Sequence, residues 1–378
     1  MKLTPEIIRY IEEHQKEAYD LLIELAQVPA PSHHEEKRAE FCKNWLEAQG
    51  AEGVYIDEAL NVVYPVGCEG NKPVTVYMAH SDVVFPDTDP LPLKVENGRI
   101  YCPGVGDDTA NAVALLLVAK YIAENKLCPK DEGLLLVINS CEEGLGNLKG
   151  SKKIMEDFCA RTREFVSFDG SARKVTNRAV GSKRYRVLIE TEGGHSYGAF
   201  GNRNAIAYLA SLIDTLYTIK VPTRGKTTYN VGLISGGTSV NTIAQNAEML
   251  YEFRSDNRED LAEMETHFNA AIDFYRTKGI KITCELLGDR PCSAEIDKER
   301  HEALMQRAAQ AIKNHFGHEA AFSASSTDCN VPLSMGIPAV CFGCLMGGGA
   351  HTRSEYVEID SLLPGLKVAF EAILYHFD

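Results

Sequence analysis

GLLLVINSCEEGLGNLKG, residues 133–150, joins an apolar run to two adjacent acids. The run from Leu134 to Ile138 has the length of a strand, and its lack of alternation is typical of a strand that is buried on both faces of a parallel sheet. Glu142 and Glu143 follow the run closely, and glycines follow them. The stretch therefore predicts a core strand that ends in a pair of negative charges.

The segments around this stretch alternate between strand and helix. Before it, the sequence predicts a strand at 74–79 and a helix at 107–125. After it, the predicted elements are a helix at 151–162, a strand at 164–169, a helix at 300–315, a strand at 338–343 and a helix at 361–376. This alternation predicts the α/β class, with a mostly parallel sheet that is covered by helices on both faces.

The middle of the chain follows another pattern. From residue 182 to residue 288 the predicted order is strand, helix, strand, strand, helix, strand, which is the order of the ferredoxin-like α+β fold. We therefore expect two domains. Residues 1–177 and 294–378 form the larger domain, and residues 178–293 form a smaller domain that is inserted into it.

Composition limits the possible partners and the compartment. Acidic residues outnumber basic ones, 53 against 39, and the net charge of −14 argues against nucleic acid or an anionic membrane as a partner. The first residues form an amphipathic charged pattern rather than a signal peptide, and the longest apolar runs are too short to span a bilayer. The 11 cysteines are scattered, so we expect a cytoplasmic protein with reduced thiols.

Charged residues follow the predicted strand ends, where open α/β sheets bind their ligands. Each has an ordinary explanation on its own, such as a helix cap at Asp107 or Asp108, a hydrogen-bonded loop histidine, or a solvated turn. Together, two histidines and several carboxylates at one edge are the ligand types of zinc, manganese and cobalt. The predicted ligands of a two-metal site are His80, Asp107, Glu143, Asp169 and His351.

The two adjacent glutamates are therefore expected to have different roles. One glutamate binds metal, and its neighbour, which cannot point the same way, is left as a general base toward water. Asp82 lies two residues after His80 and is placed to accept the second imidazole N–H, which would orient that ligand. These residues predict a metal-assisted hydrolase without identifying the bond that it cleaves.

Seven segments carry more specific information. In chain order they are HSDVV, GVGDDTAN, CEEGLGNLKG, SFDG, GGHSYGAFG, SVNTIAQNAEMLYEFRSD and GGGAHTRSEY. Over nearly the whole chain, this set resembles the co-catalytic zinc peptidases and deacylases, a family that includes peptidase T, carboxypeptidase G, aminoacylase and succinyl-diaminopimelate desuccinylase. The resemblance implies a zinc exopeptidase-like fold with an inserted lid and dimerisation domain, and hence a homodimer.

The resemblance also implies a role for each matching metal ligand. His80 and Asp169 would bind one zinc ion, and Glu143 and His351 would bind the other. Asp107 would bridge the two ions.

Further roles follow from the same resemblance. Glu142 would be the general base that passes a proton from water to the leaving amine, and Asp82 would hold the first histidine ligand. His195 would reach the active site of the partner subunit and stabilise the oxyanion. Asn241 and Arg254 would hold the backbone and the carboxylate of the substrate. Without the resemblance, His195 is an ordinary loop histidine and Arg254 a member of a surface ion pair.

The substrate stays open at this point. In the family, aspartate at the position of Asp169 goes more with aminopeptidases and dipeptidases, and glutamate goes more with carboxypeptidases and deacylases. This favours release of the N-terminal residue from a di- or tripeptide. The alternatives are an N-acyl amino acid deacylase or a carboxypeptidase with the same two metals, and a non-catalytic protein that binds a peptide or an amino acid. The ligand set accepts zinc, cobalt or manganese.

Overall fold

A computed structural model describes residues 3–377. These residues form two compact units. The larger unit consists of the residues up to Ala179 and those from Ala294 onward, and the inserted unit consists of Val180–Ser293. None of the helices among residues 3–377 is long and apolar enough to cross a membrane.

The elements are numbered in chain order. The strands are β1 (Tyr55–Ile56), β2 (Val62–Val66), β3 (Val74–His80), β4 (Lys94–Glu96), β5 (Arg99–Tyr101), β6 (Gly133–Asn139), β7 (Thr162–Phe168), β8 (Lys174–Ala179), β9 (Gly181–Glu190), β10 (Gly194–His195), β11 (Thr227–Gly236), β12 (Thr242–Ile243), β13 (Asn246–Ser255), β14 (Lys281–Arg290), β15 (Ala321–Ser325), β16 (Ala339–Phe342), β17 (Gly347–Gly348) and β18 (Tyr356–Glu358). The α-helices are α1 (Pro5–Glu13), α2 (Gln15–Ala26), α3 (Glu36–Ala48), α4 (Ala110–Glu124), α5 (Lys149–Phe158), α6 (Ala205–Leu216), α7 (Arg258–Thr277), α8 (Lys298–Phe316), α9 (Asn330–Ser334) and α10 (Leu362–Leu374). Shorter helical turns lie at Val105–Thr109, Gly144–Gly146, Ile359–Ser361 and Tyr375–Phe377.

The larger unit is built on an eight-stranded sheet with the order β1-β2-β6-β3-β7-β16-β8-β15. The four central strands β6, β3, β7 and β16 are parallel to one another, whereas β2 is antiparallel to β6 and β8 is antiparallel to β16. The central strands end at one edge of the sheet, and the segments that follow those ends form the candidate site. The predicted mostly parallel sheet is confirmed.

Alternate residues of the central strands pack into two apolar clusters, one on each face of the sheet. In β6, Leu134, Leu136 and Ile138 pack in a cluster with α4, α8 and α10. Leu135 and Val137 pack in the other cluster, with residues of α5 and α9. Because side chains of a strand alternate between faces and both faces are covered here, the run in β6 is apolar at every position.

A second, smaller sheet joins two distant segments of the larger unit. Its order is β17-β18-β5-β4, and each pair is antiparallel. The turn Val105–Thr109 comes shortly after β5, and the loop 349–355 lies between β17 and β18. The pairing of β18 with β5 therefore brings the loop and the turn close to each other.

The inserted unit is a four-stranded antiparallel sheet with two helices on one face. Its elements follow the order β9, α6, β11, β13, α7, β14, and its sheet has the order β11-β13-β9-β14. Val187 and Met249 of the sheet pack with Leu209 of α6 and Phe268 of α7. This topology confirms the predicted ferredoxin-like fold of the insert. A two-stranded ribbon of β10 and β12 accompanies the sheet.

The structure differs from the sequence expectation at the start of α4. Residues 107–109 belong to the turn Val105–Thr109, and the helix begins only at Ala110. Asp107 and Asp108 therefore do not cap the helix. Strands β2, β8 and β15 also belong to the large sheet, and the sequence analysis does not predict them. In β8, which pairs with the edge strand β15, the polar residues Lys174, Asn177 and Arg178 interrupt the apolar pattern that would indicate a strand.

Candidate metal centre

Asp107 lies at the centre of the candidate site. Its Oδ1 atom is 3.1 Å from Nε2 of His80, and its Oδ2 atom is 3.2 Å from Nε2 of His351. Each oxygen of one carboxylate thus faces a different histidine. A carboxylate that bridges two cations needs this arrangement.

His80 is the last residue of β3 and is buried. Its Nδ1 atom is 3.0 Å from the carbonyl oxygen of Asp82, which can only accept, so Nδ1 carries a proton. The nitrogen that can bind a cation is therefore Nε2, on the side of Asp107. The main-chain N–H of His80 donates to Oδ2 of Asp108 at 2.9 Å, and the amide of Asn111 donates to Oδ1 at 2.6 Å. Both oxygens of Asp108 are thus engaged in holding the protein chain.

Glu143, Asp169 and His351 complete the set of predicted ligands. Oε1 of Glu143 is 3.1 Å from Nε2 of His351. Asp169 directly follows β7, and one of its oxygens lies within 4.8 Å of a ring nitrogen of His80. The structure brings all five side chains together beyond the carboxyl ends of the parallel strands.

Asp82 makes other contacts than the sequence predicts. Its carboxylate accepts hydrogen bonds from the main-chain N–H groups of Glu142 and Glu143, both at 2.9 Å, and from the hydroxyl of Ser32 at 2.6 Å. Its closer oxygen is 3.5 Å from Nδ1 of His80, while its carbonyl is at 3.0 Å. Asp82 thus orients His80 mainly through its backbone, and its side chain fixes the pair of glutamates.

Glu142 is buried in the turn that follows β6, with 6% of its surface exposed. The preceding residue, Cys141, has a φ of +56°, and its N–H donates to Oε1 of Glu35 at 3.0 Å. A Cβ at Gly146 would lie 2.7 Å from the Cα atom of Cys141, so only glycine lets the turn fold back this closely. These contacts fix the main chain from which Glu142 projects.

Burial and like charges shape the protonation of the acids. Burial raises the pKa of Asp169 to about 7, and the negative charge of Asp107 adds to the effect. Burial also raises the pKa of Asp108 well above its ordinary value. Hydrogen bonds to Asp107 and Glu143 raise the pKa of His351 to about 10. Negative charge is therefore concentrated at the site, and a cation would offset it.

The residues at the site fit divalent metal ions. Two ligands that lie about 2.0–2.1 Å from one zinc ion at a tetrahedral angle are about 3.3 Å apart. The observed spacings of 3.1 Å between Asp107 and His80 and 3.2 Å between Asp107 and His351 agree with this value. Imidazole and carboxylate are also the donor types that zinc, cobalt and manganese accept. These side chains therefore suit divalent metal ions.

His195 lies in the inserted unit and is exposed. It is part of β10, and its Nδ1 atom accepts hydrogen bonds from the N–H groups of Tyr197 and Gly198, both at 3.3 Å. A ring nitrogen that accepts carries no proton, so the proton of the neutral ring is on Nε2. His195 therefore presents an N–H donor.

Asn241 and Arg254 also lie in the inserted unit. The carbonyl of Asn241 accepts a hydrogen bond from the N–H of Ser196 at 2.9 Å, so Asn241 lies at the end of the ribbon that contains His195. Arg254 is on β13, half-buried, and its guanidinium is 2.9 Å from the carboxylate of Glu252. The structure thus joins His195 and Asn241 in one substructure and places Arg254 on the neighbouring sheet of that unit.

Glu355 is a residue of the site that the sequence analysis missed. It is buried, and its carboxylate accepts hydrogen bonds from the main-chain N–H groups of Gly104, Gly106 and Asp107 at 2.8–3.0 Å. A signal was present, because Glu355 lies in the same segment as His351. Its role could still not be predicted, because a carboxylate that accepts hydrogen bonds from main-chain N–H groups requires no particular residue type in its partners.

Arg38 was missed for a different reason. It lies on α3, is buried, and donates to the carbonyls of Val28 at 2.7 Å and Ser81 at 2.9 Å and to the hydroxyl of Thr109 at 3.1 Å. These contacts tie the segment after β3 to the turn that carries Asp107. Nothing near Arg38 in the sequence distinguishes it from an exposed helix residue.

Comparison with known proteins agrees with this geometry. Residues 76–375 match the model of "Peptidase family M20/M25/M40". The acetylornithine deacetylase of Myxococcus xanthus is 27% identical over 338 residues, which cover 81% of this chain and 81% of that protein. The succinyl-diaminopimelate desuccinylase of Corynebacterium glutamicum is 25% identical over 354 residues, which cover 89% and 91%. A solved structure of a tripeptidase from Staphylococcus aureus superposes with a TM-score of 0.77 at 22% identity, over 96% of this chain and 98% of that chain.

The matched region begins in β3 and ends within the last helical turn, so it includes every predicted ligand and the whole inserted unit. The family resemblance stated from the sequence is confirmed. This chain belongs to peptidase family M20/M25/M40 and is a metal-dependent hydrolase.

Proposed function

We propose that the chain is a dinuclear exopeptidase that releases the N-terminal residue from a di- or tripeptide. The proposal of a two-metal centre rests on the carboxylate of Asp107, because its two oxygens face different histidines. The choice of a short peptide with a free amino end rests on Asp169, because aspartate at this position goes more with aminopeptidases and dipeptidases in the family, and glutamate more with carboxypeptidases and deacylases.

Five side chains would hold the two ions. His80 and Asp169 are proposed for one, Glu143 and His351 for the other, and Asp107 for both. When bound, the ions would polarise the scissile carbonyl and lower the pKa of the attacking water. We propose zinc, and the same donors accept cobalt or manganese.

Glu142 is proposed to move the proton. It takes one proton from the water whose oxygen attacks the carbonyl carbon of the scissile amide. It then gives that proton to the amide nitrogen, so the carbon–nitrogen bond breaks and a neutral amine leaves. Asp82 supports this step, since its carboxylate holds the main-chain N–H of Glu142 at 2.9 Å.

His195 is proposed to stabilise the oxyanion on the carbonyl carbon, acting in the active site of a partner subunit. Its Nδ1 atom accepts from two main-chain N–H groups, so its exposed Nε2–H is oriented as a donor. A donor of fixed tautomer needs no proton rearrangement before it meets the oxyanion.

Asn241 and Arg254 are proposed to hold the substrate's backbone and carboxylate. Arg254 now pairs with Glu252, both partly exposed, and such pairs add little stability. A substrate carboxylate can therefore compete for the guanidinium at small cost. Paired donors of arginine match the two oxygens of a carboxylate.

We propose that the larger unit carries catalysis and that the inserted unit acts as lid and forms a homodimer. The 11 thiols are all unpaired with one another, and seven of the cysteines are buried, which favours the reducing cytoplasm.

Hydrolysis of N-acyl amino acids is the second candidate. It is favoured by the two relatives described above, which are named a deacetylase and a desuccinylase. The metal ligands and the base would be the same. Only recognition on the amino side of the scissile bond would differ.

The experiment that separates the two candidates uses one tripeptide in two forms. The zinc- or cobalt-loaded protein is given the peptide with a free amino end and, separately, its N-acetylated form, and the products are identified by mass spectrometry. Cleavage of only the free form, with release of its first residue, supports the aminopeptidase. Release of acetate, or cleavage of only the acetylated form, favours the deacylase.

A further inference from the structure

The loop 349–355 contacts Asp107 twice. His351, from the middle of this loop, is 3.2 Å from the carboxylate of Asp107. Glu355, at the end of the loop, accepts the main-chain N–H of Asp107 at 2.8 Å. One segment therefore touches both the side chain and the backbone of the proposed bridging ligand.

Both oxygens of Glu355 are used on the turn that carries Asp107. Oε1 accepts from the N–H groups of Gly106 and Asp107, both at 2.8 Å, and Oε2 accepts from the N–H of Gly104 at 3.0 Å. The carbonyl of Glu355 accepts from the N–H of Cys102 at 3.2 Å. The side chain is 2% exposed, so water does not compete for these bonds.

Glycine at position 106 permits this close approach. A Cβ there would lie 3.3 Å from Oε1 of Glu355 and 3.4 Å from a methyl group of Val357. The sequence thus leaves room for the carboxylate beside the backbone. The turn is held at three main-chain donors, those of Gly104, Gly106 and Asp107, and the direction in which the Asp107 side chain leaves the backbone depends on them.

We infer that Glu355 is a positioning residue that holds the backbone of Asp107 so that its two oxygens face His80 and His351. The inference rests on the proposed two-metal centre. Main-chain N–H groups engage both carboxylate oxygens of Glu355, so it acts through the backbone of Asp107. The Asp82 carboxylate holds the backbone of Glu142 and Glu143 in the same way, so the turn of Asp107 and the turn of the two glutamates each have a buried acceptor.

The test is metal binding by Glu355→Gln. Only one oxygen remains in glutamine, so its NH₂ group must face a main-chain N–H of the turn, and the turn shifts. Calorimetric titration of the chelator-stripped protein with Zn²⁺ is expected to show both ions bound about 10- to 100-fold more weakly. With Co²⁺, the visible absorption of the bound ions should change in shape. A drop in kcat with little change in KM should accompany these effects.

Glu358→Gln is the matched control. Glu358 lies three residues further along the chain, at the end of β18. It is half-buried, and its carboxylate is 3.6 Å from Arg99. Within residues 3–377 its carboxylate pairs with Arg99 and makes no hydrogen bond to the turn, so both ions should bind as in the unchanged protein. Thermal unfolding of the metal-free proteins shows how much each substitution affects the fold itself.

Three results decide the matter. Weaker binding of the ions by Glu355→Gln, but not by Glu358→Gln, supports the inference. Unchanged affinity for both ions in Glu355→Gln overturns it and leaves the proposed function intact. Failure of the unchanged protein to bind a pair of ions overturns the proposed function as well. If Glu355→Gln does not fold, Glu355→Asp, which keeps the charge but is one methylene shorter, is titrated instead, and unchanged affinity there is equally decisive.

Discussion

At the scale of single residues, Asp107 and Asp108 are adjacent aspartates in different surroundings. The oxygens of Asp108 accept from the backbone of His80 and the amide of Asn111, so its side chain is already committed to hydrogen bonds within the protein. The oxygens of Asp107 face two histidines instead. The sequence analysis predicts Asp107 rather than Asp108 as a metal ligand, and the two acids differ in the contacts that they make.

Asp107→Asn should abolish the paired binding of metal ions, because an amide offers one acceptor oxygen where a bridge needs two. Asp108→Asn should keep both ions, since one oxygen still accepts the N–H of His80. The check is the number of zinc ions per chain by elemental analysis after dialysis. Loss of ions in Asp108→Asn but not in Asp107→Asn would exchange the two roles.

Glu142→Gln should lower kcat by about 10²- to 10⁴-fold while both ions stay bound, since the amide cannot take a proton from water. Glu143→Gln is the comparison, and it should lose metal as well as turnover. Rates are measured with whichever form of the tripeptide, free or N-acetylated, is cleaved faster. The metal content is measured on the same samples. Full activity in Glu142→Gln would show that another group is the base.

Much of the site could be predicted from the sequence because its ligands are of characteristic types at strand ends. His80, Glu143 and Asp169 each follow an apolar run that reveals a buried strand. Glu355 and Arg38 could not be predicted in this way. They act on main-chain groups that every residue possesses, so no partner residue type marks them.

At the scale of elements, the small sheet β17-β18-β5-β4 determines where Asp107 and His351 meet. It joins segments that are far apart in sequence, through strands of two or three residues. Such short strands carry no recognisable alternation, so the sequence analysis does not predict them. The long buried strands β3 and β6 were predictable because burial on both faces requires seven nearly continuous apolar positions.

Gly104→Ala should destabilise the turn before Asp107. Gly104 has a φ of +76°, and a Cβ there would lie 2.3 Å from a methyl group of Val83. Gly98→Ala is the matched control, because Gly98 has a φ of +72° but no atom within 4 Å of the added Cβ. The clash should cost about 1–3 kcal/mol beyond the backbone strain that both variants share. Thermal and urea unfolding measure the difference, and equal losses would mean that Val83 moves aside.

At the scale of the whole molecule, the chain combines a parallel α/β unit with an inserted ferredoxin-like unit. The change of pattern along the chain made this combination predictable, because strands of the insert alternate while those of the parallel sheet do not. In β13, Met249, Tyr251 and Phe253 are buried and alternate with more exposed residues. The proposed action of His195 in the active site of a partner subunit also depends on the assembly of the whole molecule.

Mixing two inactive variants tests this proposed action of His195. His195→Ala lacks the oxyanion donor and Glu142→Gln lacks the base, so each should be nearly inactive alone. If His195 acts across a dimer, each mixed dimer contains one complete site. After unfolding and refolding an equimolar mixture, activity should return to about a quarter of that of the unchanged protein. No recovery, with mixed dimers present by native mass spectrometry, would place His195 and Glu142 of one chain in the same site.

The central proposal is a pair of metal ions bridged by Asp107, and anomalous diffraction at the zinc edge from crystals of the zinc-loaded protein tests it most directly. Two peaks are expected roughly 3.5–4 Å apart, one on each side of the Asp107 carboxylate. The first should lie next to His80 and Asp169, and the second next to Glu143 and His351. A single peak, or two peaks that do not share Asp107, would contradict the proposed centre.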